Sequence, residues 1–377
     1  MPERLRVGVI GCGLIAQVMH LHYLRELADR FEIAALCDVS EELGRACAGD
    51  YGVPHTFARW QDLLAAPLDA VLILSSGSHA PIAIAAAEAG KHMLIEKPMC
   101  FSVAEGRAMI DAASQARVTL MVGYNKRYDP AYRRLGEQIR SLSDLRLLRV
   151  TTLESPFQPY VAHYRLHKAA GVAPELAATF QADNQARIIA AIGEADPLAR
   201  HAYHLVLLDS LVHEFNAVRG VLGEPDRLDF ADIRENGLTV VLRFGATECI
   251  IAWVDLPGIA RYEMELAFYA PDRRLTLSFP SPFLRSMPTL LRVEGGEPPS
   301  PLAWRNEQVV SYAESFKEEL IHFHDCVTGG RPPLTSGEDA LCDIALCEAV
   351  IDAHLARRAR EKPTDASASR SRLVGRA

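Results

Sequence analysis

Arg6-Val-Gly-Val-Ile10 is a short apolar run that leads without a spacer into Gly11-Cys-Gly13-Leu-Ile-Ala16, and an apolar helical period through Val18, Leu21, Tyr23 and Leu24 follows. Strand, glycine turn and helix in direct succession open a dinucleotide-binding βαβ unit. Gly11 permits the tight turn, Gly13 lets the main chain approach a pyrophosphate, and Ala16 is the small residue that packs helix against strand. The phosphates are expected on the helix N-terminus, beside Leu14 and Ile15. Glycine turns of this kind are common, so the surrounding pattern has to support them. The next apolar run, 33–37, ends in Asp38, about where a second-strand carboxylate hydrogen-bonds an adenosine ribose. A carboxylate there repels a 2′-phosphate, which favours NAD over NADP. In the plainer alternative, Asp38 only caps the next helix together with Ser40.

The rest of the first third alternates in the same way. Residues 70–74 read as a buried strand, 81–89 as a helix stopped by Gly90-Lys91, 92–96 as a strand, 102–116 as a helix opened by Ser102, and 118–122 as one more strand. Such repetition builds a doubly wound parallel sheet, here assigned to residues 1–124. At 377 residues with 49% hydrophobic content the chain exceeds the usual single-domain size. A second α/β domain is therefore expected over 125–361. Its strands, at 145–153, 238–244, 249–254, 262–268 and 274–279, are separated mostly by short turns and predict a largely antiparallel sheet. Helices over 311–327 and from Ser336 complete it, and the Ser-, Ala- and Arg-rich segment 362–377 reads as a disordered tail.

Composition narrows the partners. A net charge of −8 and a pI near 5.9 argue against nucleic acid. No run is long and apolar enough to span a bilayer, and the first strand begins too soon for a signal peptide, so a cytoplasmic protein is expected. The eight cysteines lack a CxxC spacing and read as reduced, mostly buried thiols. His322 and His324 stand two residues apart on a helix and face different directions, so no metal site is expected.

Two segments carry chemistry, Glu96-Lys97-Pro98 and Asp209-Ser-Leu-Val-His213-Glu-Phe-Asn216. Oxidising a secondary alcohol requires removal of the hydroxyl proton as hydride leaves for a nicotinamide, and a histidine near neutrality suits that role. Asp209 lies four residues before His213 on what reads as one helix, so its carboxylate is placed to orient the imidazole or to hold a substrate hydroxyl. Pro98 is expected to hold Lys97 extended. Taken singly, each residue has a plainer explanation. Among Leu205, Leu208, Leu211, Val212 and Phe215, His213 would pass for a half-buried histidine, and a lysine after a strand is usually a solvated charge.

With these residues in view the chain resembles the Gfo/Idh/MocA oxidoreductases, the glucose-fructose oxidoreductase and inositol dehydrogenase family. The resemblance is carried by the glycine turn at 11–16, Ala89-Gly-Lys-His-Met-Leu-Ile-Glu-Lys-Pro98, Gly123-Tyr-Asn-Lys-Arg-Tyr-Asp-Pro130, and Asp209 with His213, and it spans nearly the whole chain. It implies a Rossmann domain followed by an α/β domain with an open-faced sheet that often makes the oligomer contact, hence a homodimer or homotetramer. It also implies a sugar, cyclitol or related polyol held between the domains. On the same basis Lys97 matches the catalytic lysine, hydrogen-bonding the reacting oxygen, and His213 the base. Glu96 and Asn125 are expected at the cofactor, and Arg127 at the substrate.

Three features depart from the family pattern. Asn216 stands at the family's second acidic position, where it can hydrogen-bond a substrate hydroxyl but carries no charge. Ser75-Ser76-Gly-Ser-His79 replaces a proline-bearing turn, although its hydroxyls and His79 still fall where the nicotinamide ribose is expected. Residues 155–202 replace a short glycine-rich link with Phe157, Tyr160, His163, Tyr164, Arg165 and Lys168, then a helix near 176–192. This segment is read either as lining an enlarged substrate pocket, with Tyr164 and Arg165 binding a glycoside or a nucleotide-linked or phosphorylated sugar, or as an oligomer contact or a surface excursion. Three functions stay open: simple NAD-dependent alcohol oxidation or ketone reduction, a lyase or glycosidase that oxidises its sugar transiently, and a non-catalytic nucleotide sensor. The last has no need of Lys97, Asp209 and His213 together.

Overall fold

A computed structural model describes residues 4–361, except 143 and 298; the expected tail at 362–377 lies outside the described residues. Six short strands form the first sheet: β1 (Leu5–Ile10), β2 (Phe31–Cys37), β3 (His55–Phe57), β4 (Ala70–Ile73), β5 (His92–Glu96) and β6 (Leu120–Gly123). They pair in the order β3-β2-β1-β4-β5-β6, all parallel. Strands such as Ala70-Val-Leu-Ile are apolar throughout because helices cover both faces of a parallel sheet. On one face lie a π-helical turn at Ala16–His20 with α1 (Leu21–Glu26), and α2 (Glu41–Tyr51). On the other lie α3 (Trp60–Leu64), α4 (Ala80–Glu88) and α5 (Val103–Ala116). The connections reverse direction between β1 and β4, and in such a sheet the crevice beyond the strands' carboxyl ends at this switch point is the place for a ligand.

After a 3₁₀ turn at Asn125–Tyr128 and α6 (Pro130–Ile139), the chain builds a second sheet. Its strands are β7 (Leu147–Glu154), β8 (Arg227–Arg234), β9 (Gly237–Phe244), β10 (Thr247–Asp255), β11 (Glu263–Tyr269), β12 (Arg273–Phe279), β13 (Leu290–Gly296) and β14 (Ala303–Val309). The order is β14-β13-β12-β11-β7-β10-β9-β8, antiparallel except for β7 beside β10. Between β7 and β8 run α7 (Gln158–Val161), α8 (Pro174–Ile192), α9 (Pro197–His201), a π-helical stretch at Ala202–Leu211 and α10 (Val212–Leu222). Two helices close the fold, α11 (Ser315–Gly329) and α12 (Gly337–Glu361).

These last helices return to the first domain. Thr335 O accepts Val122 N–H at 2.9 Å, Met121 bridges Ser336, and Gly337 packs so closely on Leu120 that a Cβ there would lie 2.0 Å from Leu120 Cδ2. The strands that the sequence pattern does not reveal, β8, β13, β14 and the three-residue β3, include both edges of the second sheet and one edge of the first. Ala303-Trp-Arg-Asn-Glu-Gln-Val is almost wholly exposed and has no apolar alternation; cross-strand pairs such as Arg292–Glu307 and Arg305–Glu294 accompany its main-chain ladder. All eight cysteines are free thiols, buried except for half-buried Cys342, and no helix among the described residues is long and apolar enough to cross a membrane.

Candidate active site

The glycine turn meets the geometric demands of a dinucleotide site. Gly11 has φ +96°, and a Cβ there would sit 2.6 Å from Ser75 N and 2.8 Å from the carbonyl carbon of Leu74, so glycine is required both by conformation and by the closeness of the strand end. Gly13 is exposed, and a Cβ on it would meet nothing within 4 Å, which leaves its backbone open to a phosphate. Leu14 and Ile15 pack half-buried on the α1-side core, so only their main chain can serve a ligand in this arrangement. Asp38 combines features of both readings made of it. One carboxylate oxygen accepts Cys12 N–H in the turn at 2.8 Å, and the other accepts Ser40 N–H at 2.8 Å, while Ser40 itself caps α2. A carboxylate has about four lone-pair sites, so two N–H bonds leave capacity for ribose hydroxyls.

Lys97 follows β5, and its peptide bond to Pro98 is cis. Its ammonium donates to Asp209 twice, to the main-chain oxygen at 2.6 Å and to Oδ1 at 2.7 Å. Burial opposes the charge on Lys97, but the neighbouring carboxylates of Asp209 and Glu96 outweigh it and hold the ammonium above its ordinary pKa. The same pairing overcomes the smaller burial of Asp209 and keeps its carboxyl below the usual range. Asp209 stays largely exposed, so this pair connects with solvent.

Here the expected partnership is corrected. Asp209 holds Lys97 rather than His213, whose Nδ1 is buried and has no hydrogen-bond partner among the described residues. The residues up to Leu211 wind as a π-helix, so Asp209 and His213 straddle a change of winding and residues four apart no longer superpose as in a continuous α-helix. The half-buried His213 ring instead stands edge-to-face with Tyr124, centroids 6.0 Å apart and planes at 81°. Burial, and then the positive charges of Lys126 and Lys97, push its pKa well below the ordinary histidine value. His213 is accordingly a neutral imidazole at neutral pH, able to accept a proton.

Three residues at this site were not singled out from the sequence. Tyr124 supplies the ring beside His213. Lys126, buried just beyond β6, has its own pKa lowered by burial against the attraction of Glu214. Glu214, fully buried, accepts Thr152 Oγ1–H at 2.8 Å and lies 3.8 Å from Lys126 Nζ. The available signal was a lysine inside Gly123-Tyr-Asn-Lys-Arg-Tyr-Asp-Pro130 and a carboxylate on the apolar helix beside His213.

Several expected ligand contacts are turned inward. Glu96 accepts from buried His20 Nε2 at 2.7 Å and from Lys97 N–H at 3.1 Å, so it braces the lysine's backbone. Buried His79 lies between the carbonyls of Ser75, at 2.5 Å, and Pro98, at 2.8 Å, and ties the loop after β4 to the Lys97-Pro98 turn. Half-buried Ser75 and exposed Ser76 are left on the crevice side of that loop. Asn125 donates to Ser315 Oγ at 2.8 Å. Arg127 and Asn216, expected at a substrate, belong to a buried network: Arg127 donates to Asn216 Oδ1 at 3.2 Å, and Asn216 Nδ2 donates to Asp339 and Asp343 at 2.8 and 2.7 Å. These donors are spent on Asp339 and buried Asp343, which Arg219 also pairs. Tyr164 donates its hydroxyl to Phe283 O at 3.0 Å with Arg285 stacked 4.5 Å over its ring, whereas Arg165 is exposed.

Comparison with known proteins agrees with this geometry. Residues 5–124 match the model of the Gfo/Idh/MocA oxidoreductase family, described as an NAD-binding Rossmann fold. That match takes in the first domain of the chain. The chain is 26% identical over 351 residues to a myo-inositol 2-dehydrogenase from Thermotoga maritima, covering 89% of this chain and 92% of that one. It is 28% identical over 357 residues to a D-apiose dehydrogenase from Paraburkholderia graminis, with 92% and 87% covered. In fold it superposes on a UDP-N-acetylglucosamine 3-dehydrogenase from Acidithiobacillus ferrooxidans with a TM-score of 0.69 at 20% identity, over 94% of this chain and 98% of that one. Both relatives that match nearly the whole chain are named as dehydrogenases.

Proposed function

We propose that the enzyme interconverts a secondary hydroxyl and a ketone on a sugar, sugar derivative or cyclitol, with NAD as its dinucleotide. The observation that carries this reading is a neutral imidazole held beside two ammonium groups, Lys97 and Lys126, in a chain whose glycine turn and second-strand carboxylate fit a dinucleotide. Bound NAD supplies the hydride acceptor. His213 takes the hydroxyl proton, because burial and two cations leave its imidazole unprotonated and free to accept one. Lys97 donates a hydrogen bond to the same oxygen and stabilises its alkoxide character. Asp209 orients Lys97, and its exposure keeps that pair in contact with solvent. Asp38 favours NAD over NADP through its free lone pairs and its charge.

The substrate class follows the relatives named for inositol and apiose. A panel of inositols, free sugars, glycosides, sugar phosphates and nucleotide sugars, assayed with NAD by the absorbance of the reduced cofactor, tests the reading. Reduction by at least one of them that is lost in His213→Ala supports it. Reduction that persists in His213→Ala would remove the proposed base.

A further inference from the structure

Residues 162–192, inserted between β7 and α9, reach from one face of the parallel sheet to the other. On the α1 side, Val161, Tyr164 and Leu166 join the core formed by β1, α1 and α2. His167 N–H donates to Gln17 Oε1 at 2.8 Å, and Gln17 Nε2 returns a bond to His167 O at 3.1 Å while also reaching Cys12 O in the glycine turn at 2.9 Å. Further along, Ser40 Oγ donates to Ala170 O at 2.6 Å and accepts Ala170 N–H at 3.0 Å. Ser40 is only 1% exposed, so the insertion covers the residue that follows Asp38 by two.

Across the sheet, α8 lies against the loop after β4. A Cβ on Gly77 would fall 2.7 Å from Phe180 Cζ and 2.9 Å from Asn184 Oδ1, and Arg187 pairs with Glu105 in the first turn of α5. Ile188 and Ile192 then enter the core of the α4 and α5 face. Ser40 and Gly77 stand in the loops after β2 and β4, and Gln17 and Glu105 in the first helical turns that follow β1 and β5. All four contact points therefore lie at the carboxyl ends of the parallel strands, on either side of the switch point between β1 and β4.

We propose that residues 162–192 are a strap that completes the dinucleotide site, closing over the crevice so that cofactor enters and leaves only when the strap lifts. This rests on the dinucleotide reading of the glycine turn. The attachment is suited to opening: α8 buries only Asn184, Ile188 and Ile192, leaving Leu176 and Phe180 more than 40% exposed, and the other limb is held by polar contacts at Gln17, Ser40, Asp50 and Phe283 beside the packing of Tyr164 and Leu166. The strap accounts for the unusual length of this segment without requiring Tyr164 or Arg165 to touch substrate.

The test measures NADH release by stopped-flow fluorescence, chasing the preformed enzyme–NADH complex with excess NAD. Phe180→Ala combined with Arg187→Ala weakens the α8 attachment at its Gly77 and Glu105 contacts and is expected to speed release at least tenfold. Ser40→Cys combined with Ala170→Cys places two thiols where a hydroxyl and main chain now touch. When oxidised, this variant should slow both uptake and release of NADH at least tenfold, with recovery on adding dithiothreitol. Release unchanged in the α8 variant and in the oxidised lock would overturn the strap alone. Wild-type enzyme that binds no NADH at all would overturn the dinucleotide reading and the strap with it.

Discussion

Lys126→Met is the substitution that most directly probes how the site keeps its base unprotonated. Lys126 is buried, and its ammonium is one of two positive charges that disfavour protonation of His213. Two unit charges one side chain apart in a partly buried site interact by about 1–2 kcal/mol at an effective dielectric near 20, and about 1.4 kcal/mol is a factor of ten. Removing the cation also leaves the nearby Glu214 carboxylate without its charged partner, which favours imidazolium further. Both effects raise the His213 pKa toward its ordinary value, so the acid limb of kcat/KM should move up in pH. At pH 5.5 the variant should lose roughly tenfold in kcat/KM relative to wild type, while at pH 8, where the imidazole is neutral in both, they should agree within about twofold. Because an uncompensated buried charge commonly costs about 3–5 kcal/mol, Lys126→Met combined with Glu214→Gln is the control: it should recover thermal stability and still show a raised acid limb. An acid limb that stays in place in both proteins would mean that Lys126 does not govern His213, or that another group is the base.

Other outcomes follow from the same contacts. Lys97→Ala and His213→Ala should each lower kcat on the order of a hundredfold with NADH affinity little changed; near wild-type turnover in either would break the proposed proton path. Asp38→Ser should narrow the preference for NAD over NADP in calorimetric titrations, while weakening both dinucleotides somewhat because Cys12 N–H and Ser40 N–H lose their acceptor; a wild-type preference for NADP would refute the role given to Asp38. Arg127→Ala should lower thermal stability by about 3–5 kcal/mol with KM unchanged, as expected for a broken buried charge network, and a raised KM with normal stability would return Arg127 to the substrate.

What was legible in the sequence, and what was not, divides along the range of the interactions. The glycine turn, Asp38 and the first six strands other than β3 depend on neighbours within a strand or a turn, and apolar period and glycine placement report on such neighbours directly. β14 escaped because an exposed edge strand is specified by pairing with β13 rather than by its own pattern. The site shows the same division more sharply. Lys97 and His213 were recognisable as residue types in characteristic surroundings, but spacing offered Asp209 only His213 or a substrate hydroxyl and not Lys97, since the π-helical winding leaves no mark in the spacing. Arg127 and Asn216 carry suitable donors for a polyol, and only the return of α12 to the first domain, bringing Asp339 and Asp343 beneath them, shows where those donors are used.

That return has a consequence for the chemistry. The network fixes Arg127 to Asn216, and so ties the turn after β6 to α10, which also carry Lys126 and His213. On the function proposed above, the two residues expected to touch substrate act one step removed, holding His213 and Lys126 in register. A defect in this network is therefore expected to appear first in stability and in the pH profile set by His213, and only secondarily in the affinity for substrate.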